Sequence, residues 1–332
     1  MTKIDIFSGF LGAGKTTLIK KLIKEAFTGE KIVIIENEFG EIGIDGGFLK
    51  DSGINITEMN SGCICCSLVG DFGTALKKVL AEYLPDRIII EPSGVGKLSD
   101  VIKSVENLDA ENILLNSFTT VVDANKCKMY MKNFGEFYGN QVEHANCIIL
   151  SRTKNIDEVK LHSAVNLLKE KNEKATIITT DWESLSGKQI LDVMEHKNTL
   201  HKDVEELHHH HEHGEECHCH EHHHHEHDGE CHCHEHHHHH ADEVFVSFGR
   251  ETANKYTYAQ LKEILSALDN NEIYGTVLRA KGIVETTDKG WVQFDYVPGE
   301  KEIRESGAEV IGRICVIGSR LVESDLEELF KI

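Results

Sequence analysis

The sequence has few basic residues, no long hydrophobic run and no signal peptide, and each shortage excludes a class of protein. Its 332 residues include 35 Lys and Arg against 56 Asp and Glu, for a formal charge of -21 at pH 7. So acidic a chain is poorly suited to the phosphate backbone of nucleic acids or to an anionic membrane surface. No apolar run approaches the roughly 20 residues that cross a bilayer. We therefore expect a cytoplasmic protein that binds neither nucleic acid nor membrane.

Disulfides are not expected either, because cytoplasmic thiols stay reduced. Seven of the ten cysteines occur in tight clusters, which in such a compartment suggest metal binding. These are Cys63, Cys65, Cys66, Cys217, Cys219, Cys231 and Cys233. The other three, Cys127, Cys147 and Cys315, lie among apolar neighbours and are interpreted as small buried core residues.

Short apolar runs alternate with amphipathic stretches through the first 197 residues. Runs such as "KIDIF", "KIVIIEN", "INITEM" and "RIIIEPSG" predict strands, and Thr16–Phe27, Leu68–Tyr83 and Asp157–Lys171 predict helices. Repeated strand-helix-strand units indicate an α/β domain with a mostly parallel sheet, whose ligands bind at the carboxyl ends of the strands. We predict a nucleotide-binding domain at 1–197, a linker at 198–241 and a small α+β domain at 242–332.

The segment "GFLGAGKT", Gly9–Thr16, follows a predicted strand and opens a predicted helix, which is the context of a phosphate-binding loop. Glycines let backbone N–H groups approach phosphates, Lys15 is predicted to reach the β- and γ-phosphates, and Thr16 to hold Mg²⁺. The predicted nucleotide-binding residues here are Gly9, Gly12, Ala13, Gly14, Lys15, Thr16 and Thr17.

A second nucleotide element is "IIIEPSG", a predicted strand that ends in Glu91 and is followed by Gly94. In phosphate-loop proteins an acid at this strand end helps to organise Mg²⁺ or the attacking water, and the glycine N–H contacts the γ-phosphate. We therefore assign catalytic roles to Lys15 and Glu91, and a phosphate contact to Gly94.

Between these two elements, "NSGCICCS" places Cys63, Cys65 and Cys66 within four residues. Three thiols on one turn can bind one soft cation and leave a fourth tetrahedral position open, an arrangement suited to metal transfer. A structural zinc is less favoured because no partner pair of ligands lies nearby. A redox role is less favoured because the usual two-residue spacer is missing.

Four motifs occur in the order "GFLGAGKTTL", "ENEFG", "GCICC" and "EPSG", and a His-rich linker and a small C-terminal domain follow them. In these motifs and their order the chain resembles the CobW-type metallochaperone GTPases. That family is related to the GTPases that insert nickel into urease and hydrogenase. The resemblance implies a nucleotide-gated metal carrier that uses GTP and Mg²⁺ and delivers to a client metalloprotein. We expect the metal to be zinc, cobalt or nickel. It implies that Cys63, Cys65 and Cys66 carry the metal and that Glu38 acts near Mg²⁺ and the nucleotide. A nucleotide- or metal-dependent dimer is a further expectation.

The segment from His208 to His240 contains 19 of the 23 His, seven Glu, one Asp and no Lys or Arg, and it repeats "ECHCHEHHHH". It cannot bury a core, so we expect a disordered linker when it holds no metal. A purification tag would be terminal and pure His; an inert spacer remains an alternative. The imidazoles and thiolates of this segment favour a role in collecting metal and supplying it to Cys63, Cys65 and Cys66. The thiols concerned are Cys217, Cys219, Cys231 and Cys233.

The resemblance breaks at "LSRTKN", where the family pattern has Asn-Lys-x-Asp and this chain has Ser151, Arg152, Thr153 and Lys154. Lys donates hydrogen bonds and cannot replace the carboxylate that accepts two from guanine. We expect Ser151 and Arg152 to contact the nucleotide, with Arg152 stacking on the purine. Asp157 or Asp181 could supply a carboxylate, and GTP should be favoured over ATP less strongly than by an intact motif.

Two other functions fit parts of this pattern. A metal buffer could use the nucleotide domain for stability alone, although a buffer needs no switch-like motifs. A small-molecule kinase could use the same phosphate loop, but no substrate lid or Arg cluster stands out in the sequence. Of the three, the metallochaperone NTPase accounts for the most features.

Overall fold

The computed structural model describes residues 1–36, 69–108, 112–195 and 244–332. The predicted strand at 54–59, Glu38, the Cys-x-Cys-Cys turn and the His-rich segment all lie outside the described residues. The metal-ligand predictions that fall there are Cys63, Cys65, Cys66, Cys217, Cys219, Cys231 and Cys233.

The first part of the chain forms a six-stranded parallel sheet in the order β2-β3-β1-β4-β5-β6. Its central strands are buried on both faces, as in a parallel sheet covered by helices. The strands are β1 Thr2–Gly9, β2 Ile32–Glu36, β3 Arg87–Glu91, β4 Ile113–Asp123, β5 Cys147–Ser151 and β6 Thr176–Ile178.

Helices cover both faces of this sheet. On one face α1 buries Leu18, Ile19, Leu22 and Ile23 beside helical residues at 187–195. The other helices pack on the opposite face. The helices are α1 Lys15–Glu25, α2 Val69–Tyr83, α3 Leu98–Glu106, α4 Cys127–Asn133, α5 Gly135–Glu143 and α6 Glu158–Lys171.

The C-terminal part forms an antiparallel sheet in the order β11-β10-β9-β12-β7, with the short β8 beside β9. One face packs on its own helices, and the other turns toward the nucleotide domain. The elements are β7 Val246–Thr252, β8 Lys255–Tyr256, α7 Tyr258–Ala267, α8 Asn271–Tyr274, β9 Thr276–Thr286, β10 Gly290–Val297, β11 Glu300–Glu305, β12 Gly312–Ser319 and α9 Glu323–Phe330.

The structure confirms the predicted fold class: a parallel α/β sheet followed by a small α+β unit. The three cysteines assigned to the core, Cys127, Cys147 and Cys315, are free thiols with at most 1% of their surface exposed. Among the residues that the structure describes, none of the helices combines the length and the apolar character needed to cross a membrane.

Candidate nucleotide site

The phosphate loop joins β1 to α1 and owes its shape to three glycines. Gly12 and Gly14 have φ values of +68° and +102°, a left-handed conformation that disfavours residues with a Cβ. At Gly9, a Cβ would lie 2.4 Å from the carbonyl oxygen of Val121 on β4. These constraints explain why glycines recur in the loop, and they leave the N-terminus of α1 directed at the cavity, where it favours anions.

Lys15, the first residue of α1, is 7% exposed although it carries a charge. Its ammonium donates to the carbonyl oxygen of Gly9 at 2.8 Å and lies 3.5 Å from that of Phe10. The side chain therefore folds back over the loop and brings its charge to the place where the sequence predicted phosphate binding.

Thr16 and Glu91 meet at the carboxyl edge of the sheet, as the sequence predicted for a Mg²⁺ site. The Thr16 hydroxyl donates to the Glu91 carboxylate, with oxygen distances of 3.1 and 3.2 Å. A hydroxyl and a carboxylate are oxygen ligands of the kind that Mg²⁺ prefers when phosphates and water complete its shell. The donor set fits that ion.

The loop after β3 lies directly against the phosphate loop. A Cβ on Gly94 would stand 2.9 Å from the backbone nitrogen of Leu11, so a side chain here would displace one loop or the other. The buried amide of Gln141 donates to the carbonyl oxygens of Gly94 and Gly96, at 3.0 and 2.8 Å. Gln141 thereby anchors this loop to α5, a role that the sequence pattern did not reveal.

Ser151 and Arg152 follow β5 at the same edge of the sheet. Arg152 has a φ of +59° and directs its guanidinium toward Asp123, at 3.4 Å, and toward Glu300 of β11, at 2.6 and 2.7 Å. Burial disfavours its charged form, but these carboxylates outweigh burial and raise the pKa of Arg152. The guanidinium is thus held by two acids in this structure, and its stacking on a purine stays a prediction.

The two carboxylates that the sequence offered in place of the guanine-reading Asp both cap helices. Asp157 accepts from two backbone N–H groups at the start of α6, and Asp181 accepts from Glu183 N–H at a short 3₁₀ helix. Lys154, at the position of the family Asp, pairs with Glu183 at the surface. The residue aligned with the family Asp is thus a hydrogen-bond donor that pairs with an acid at the surface, and weak reading of guanine stays a prediction.

A cavity of about 550 Å³ brings the two parts of the chain together. The phosphate loop, α1, Glu91 and Arg152 line one side, and β9, β10 and β11 line the other. Sequence reasoning missed the second side, because these strands carry no nucleotide motif. Its lining residues are Arg279, Gln293, Asp295, Val297, Glu300, Lys301, Glu302 and Arg304.

The structure gathers Gly9, Gly12, Ala13, Gly14, Lys15, Thr16, Thr17, Glu91, Gly94, Ser151 and Arg152 around one edge of the sheet. Across the four described ranges, no group of three or more His, Cys, Asp or Glu side chains is placed to hold a metal ion. The transition-metal site was predicted on residues outside those ranges, so it stays a prediction.

The parallel sheet, the loop between β1 and α1 and the Thr16–Glu91 pair define a phosphate-loop nucleotide-binding domain. The chain belongs to the CobW/HypB/UreG family: residues 3–179 match its nucleotide-binding domain, and residues 245–331 match the cobalamin synthesis protein cobW C-terminal domain. The predicted family is confirmed.

Curated relatives match parts of the chain. Zinc chaperone YeiR of Escherichia coli is 41% identical over 102 residues, 31% of this chain and 31% of its own. Zinc chaperone YjiA of E. coli is 33% identical over 184 residues, 53% of this chain and 56% of its own. The matched segments thus span about a third to a half of these relatives. A crystal structure of Zn(II)-bound YjiA GTPase aligns with 99% of this chain and 98% of its own, at 20% identity and a TM-score of 0.38.

Proposed function

We propose that this protein is a cytoplasmic GTPase that carries zinc, cobalt or nickel and transfers it to a client metalloprotein when GTP is hydrolysed. The observation that carries the proposal is the phosphate loop with Lys15 folded over it and the Thr16 hydroxyl against Glu91. Relatives named zinc chaperones, and a Schizosaccharomyces pombe relative named zinc-regulated GTPase metalloprotein activator 1, support the same activity.

Four residues of the nucleotide site, together with the loop N–H groups, have a defined role in this proposal. Lys15 turns from the loop carbonyls to the β- and γ-phosphates, and the loop N–H groups bind the same oxygens. Thr16 and Glu91 hold Mg²⁺, which when bound neutralises charge on the β- and γ-phosphates. The Gly94 N–H contacts the γ-phosphate, so loss of that group changes a loop packed on the phosphate loop.

The cargo site is proposed on the thiols. Cys63, Cys65 and Cys66 bind the transferred ion, Glu38 acts beside the nucleotide, and the cysteines and histidines of 208–240 collect metal. The proposal divides the chain into a GTPase domain at 1–197, a linker at 198–241 and a C-terminal domain at 242–332. A nucleotide- or metal-dependent dimer belongs to the same proposal.

Hydrolysis measured with and without stoichiometric Zn²⁺, Co²⁺ or Ni²⁺ tests this function. The assay uses the whole chain and a variant lacking His208 to His240. A GTPase that carries metal should respond to at least one ion in both proteins, with the variant binding fewer ions in total. A hydrolysis rate that no ion changes would instead indicate a metal buffer whose nucleotide domain serves stability alone.

A further inference from the structure

The C-terminal sheet is packed directly on the phosphate loop. Phe10, the second residue of the loop, lies 6.0 Å from Phe245 between ring centroids, and Cys315 and Ile317 of β12 join the same buried core. Val297 of β10 lies so close to Gly12 that a Cβ there would approach the Val297 side chain to 2.2 Å. The apolar contacts therefore fix the sheet against the part of the loop that serves the β- and γ-phosphates.

The strand face on this side is charged. Arg279 and Lys281 alternate with Ala280 along β9, so both point toward the nucleotide domain while Ala280 packs into the C-terminal core. Lys281 is 1% exposed and interacts electrostatically with Cys315, Asp295, Glu36 and Lys15. Asp295 pairs with Arg279 at 3.0 Å and also acts on Lys281, and a phosphate bound on this face would further offset the cost of holding two cations there.

The cavity between the two domains is rich in cations although the whole chain is acidic. Four acidic side chains line it: Glu91, Asp295, Glu300 and Glu302. Six cationic side chains line it: Lys15, Lys20, Arg152, Arg279, Lys301 and Arg304. Its volume and charge suit a nucleoside triphosphate.

We propose that the nucleotide binds between the two domains and that Arg279 of the C-terminal sheet contacts its γ-phosphate directly. This inference rests on the proposed GTPase function and adds a residue from a second domain to the nucleotide site. The C-terminal domain then distinguishes GTP from GDP, because its own arginine loses a ligand when the γ-phosphate leaves.

Arg279 is favoured over the other cations of the sheet by its surroundings. Its side chain is 21% exposed, and Asp295 holds its guanidinium at 3.0 Å on the wall of the cavity. Lys301 is instead paired at 2.8 Å with Asp269, which does not line the cavity, and Arg304 is 46% exposed. Arg279 is therefore the partly buried, oriented cation that faces the phosphate loop. Guanidinium groups bind phosphate oxygens through strong, paired hydrogen bonds.

The test compares Arg279→Gln with Arg250→Gln in the full-length protein. Arg250 is a matched control, because it lies in the same sheet but pairs with Glu323 and Glu327 on the opposite face. Calorimetric titration with Mg²⁺-GTP and Mg²⁺-GDP should show about a tenfold or greater loss of GTP affinity in Arg279→Gln. GDP affinity should change by less than about threefold, and Arg279→Lys should recover part of the GTP affinity.

Equal GTP affinity in Arg279→Gln and wild type, or equal losses for GTP and GDP, would overturn the inference. Lys15→Ala distinguishes a failure of this inference from a failure of the proposed function. Unchanged GTP binding in Lys15→Ala would show that the phosphate loop is not the nucleotide site. Hydrogen exchange is measured on the wild-type protein, so its result does not depend on whether a variant folds. A non-hydrolysable GTP analogue should protect the β10–β11 turn more than GDP does, and identical exchange in both states would contradict the contact.

Discussion

At the scale of single residues, we expect base selectivity to depend on the side chains after β5. Lys154 stands where the family has an Asp, and it pairs with Glu183 at the surface. Asp157 and Asp181, the acids that the sequence offered as substitutes, each cap a helix. Buried guanine donors left without an acceptor cost about 1–3 kcal/mol each, so discrimination against ATP should be weak.

Lys154→Asp should raise the preference for GTP over ATP by about tenfold or more, because a carboxylate can accept both hydrogen bonds from guanine. Competition binding of the two nucleotides to the Mg²⁺-loaded protein measures the ratio. Lys160→Asp is the control, because this substitution makes the same change of charge at an exposed position on α6. A wild-type preference for GTP of a thousandfold would show that another acid already reads the base.

At the scale of secondary-structure elements, the parallel sheet contains a buried charge network. Asp5 in the middle of β1 is fully buried and accepts from Arg87 of β3 and from Asn116 and Ser117 of β4. Arg87 is 1% exposed and also binds Glu30, whose oxygen lies 2.6 Å away. Burial disfavours its charge, but the carboxylates around it raise the pKa of Arg87.

Arg87→Ala should lower the free energy of unfolding by about 3–5 kcal/mol, because it leaves Asp5 buried without its cation. Urea unfolding followed by circular dichroism measures the loss. Lys78→Ala, which removes a surface pair with Glu82, should cost less than about 1 kcal/mol. Similar losses in both variants would mean that the network does not stabilise the sheet.

The elements also differ in how well the local sequence predicts them. Strands that are buried on both faces, such as β1 and β3, and the glycines of the phosphate loop were predictable because local sequence determines them. β11, with the sequence EKEIRE, was missed because an exposed edge strand needs no apolar face. The contact between Arg152 and Glu300 joins residues 148 positions apart, and no local pattern encodes it.

At the scale of the whole molecule, Lys281 reports on the contact between the domains. Burial lowers its pKa from 10.5 to about 8, an effect that Cys315 and Asp295 partly offset. Below pH 8 the lysine is protonated in both the folded and the unfolded states, so the cost of burying its charge is fully present. Between about pH 8 and 10.5 the unfolded state binds more protons, and stability should rise with pH.

Lys281→Met should remove this rise. We expect the variant to be more stable than wild type at pH 7 in the absence of nucleotide, and the difference should shrink as the pH rises from 8 to 10. Chemical unfolding at a series of pH values measures this stability difference. Lys262→Met is the control, because Lys262 is exposed. A difference that does not change with pH would show that Lys281 is not buried as a cation.

If this protein carries metal as proposed, its nucleotide state controls its metal affinity, and one titration measures that control. Zn²⁺ is titrated against a competing chelator into the full-length protein with a non-hydrolysable GTP analogue, with GDP and without nucleotide. We predict a tight site in the GTP-analogue state, about tenfold or more weaker with GDP and lost when Cys65 and Cys66 are both replaced by Ser. The same tightest dissociation constant in all three nucleotide states, or in the double Ser variant, would contradict the account.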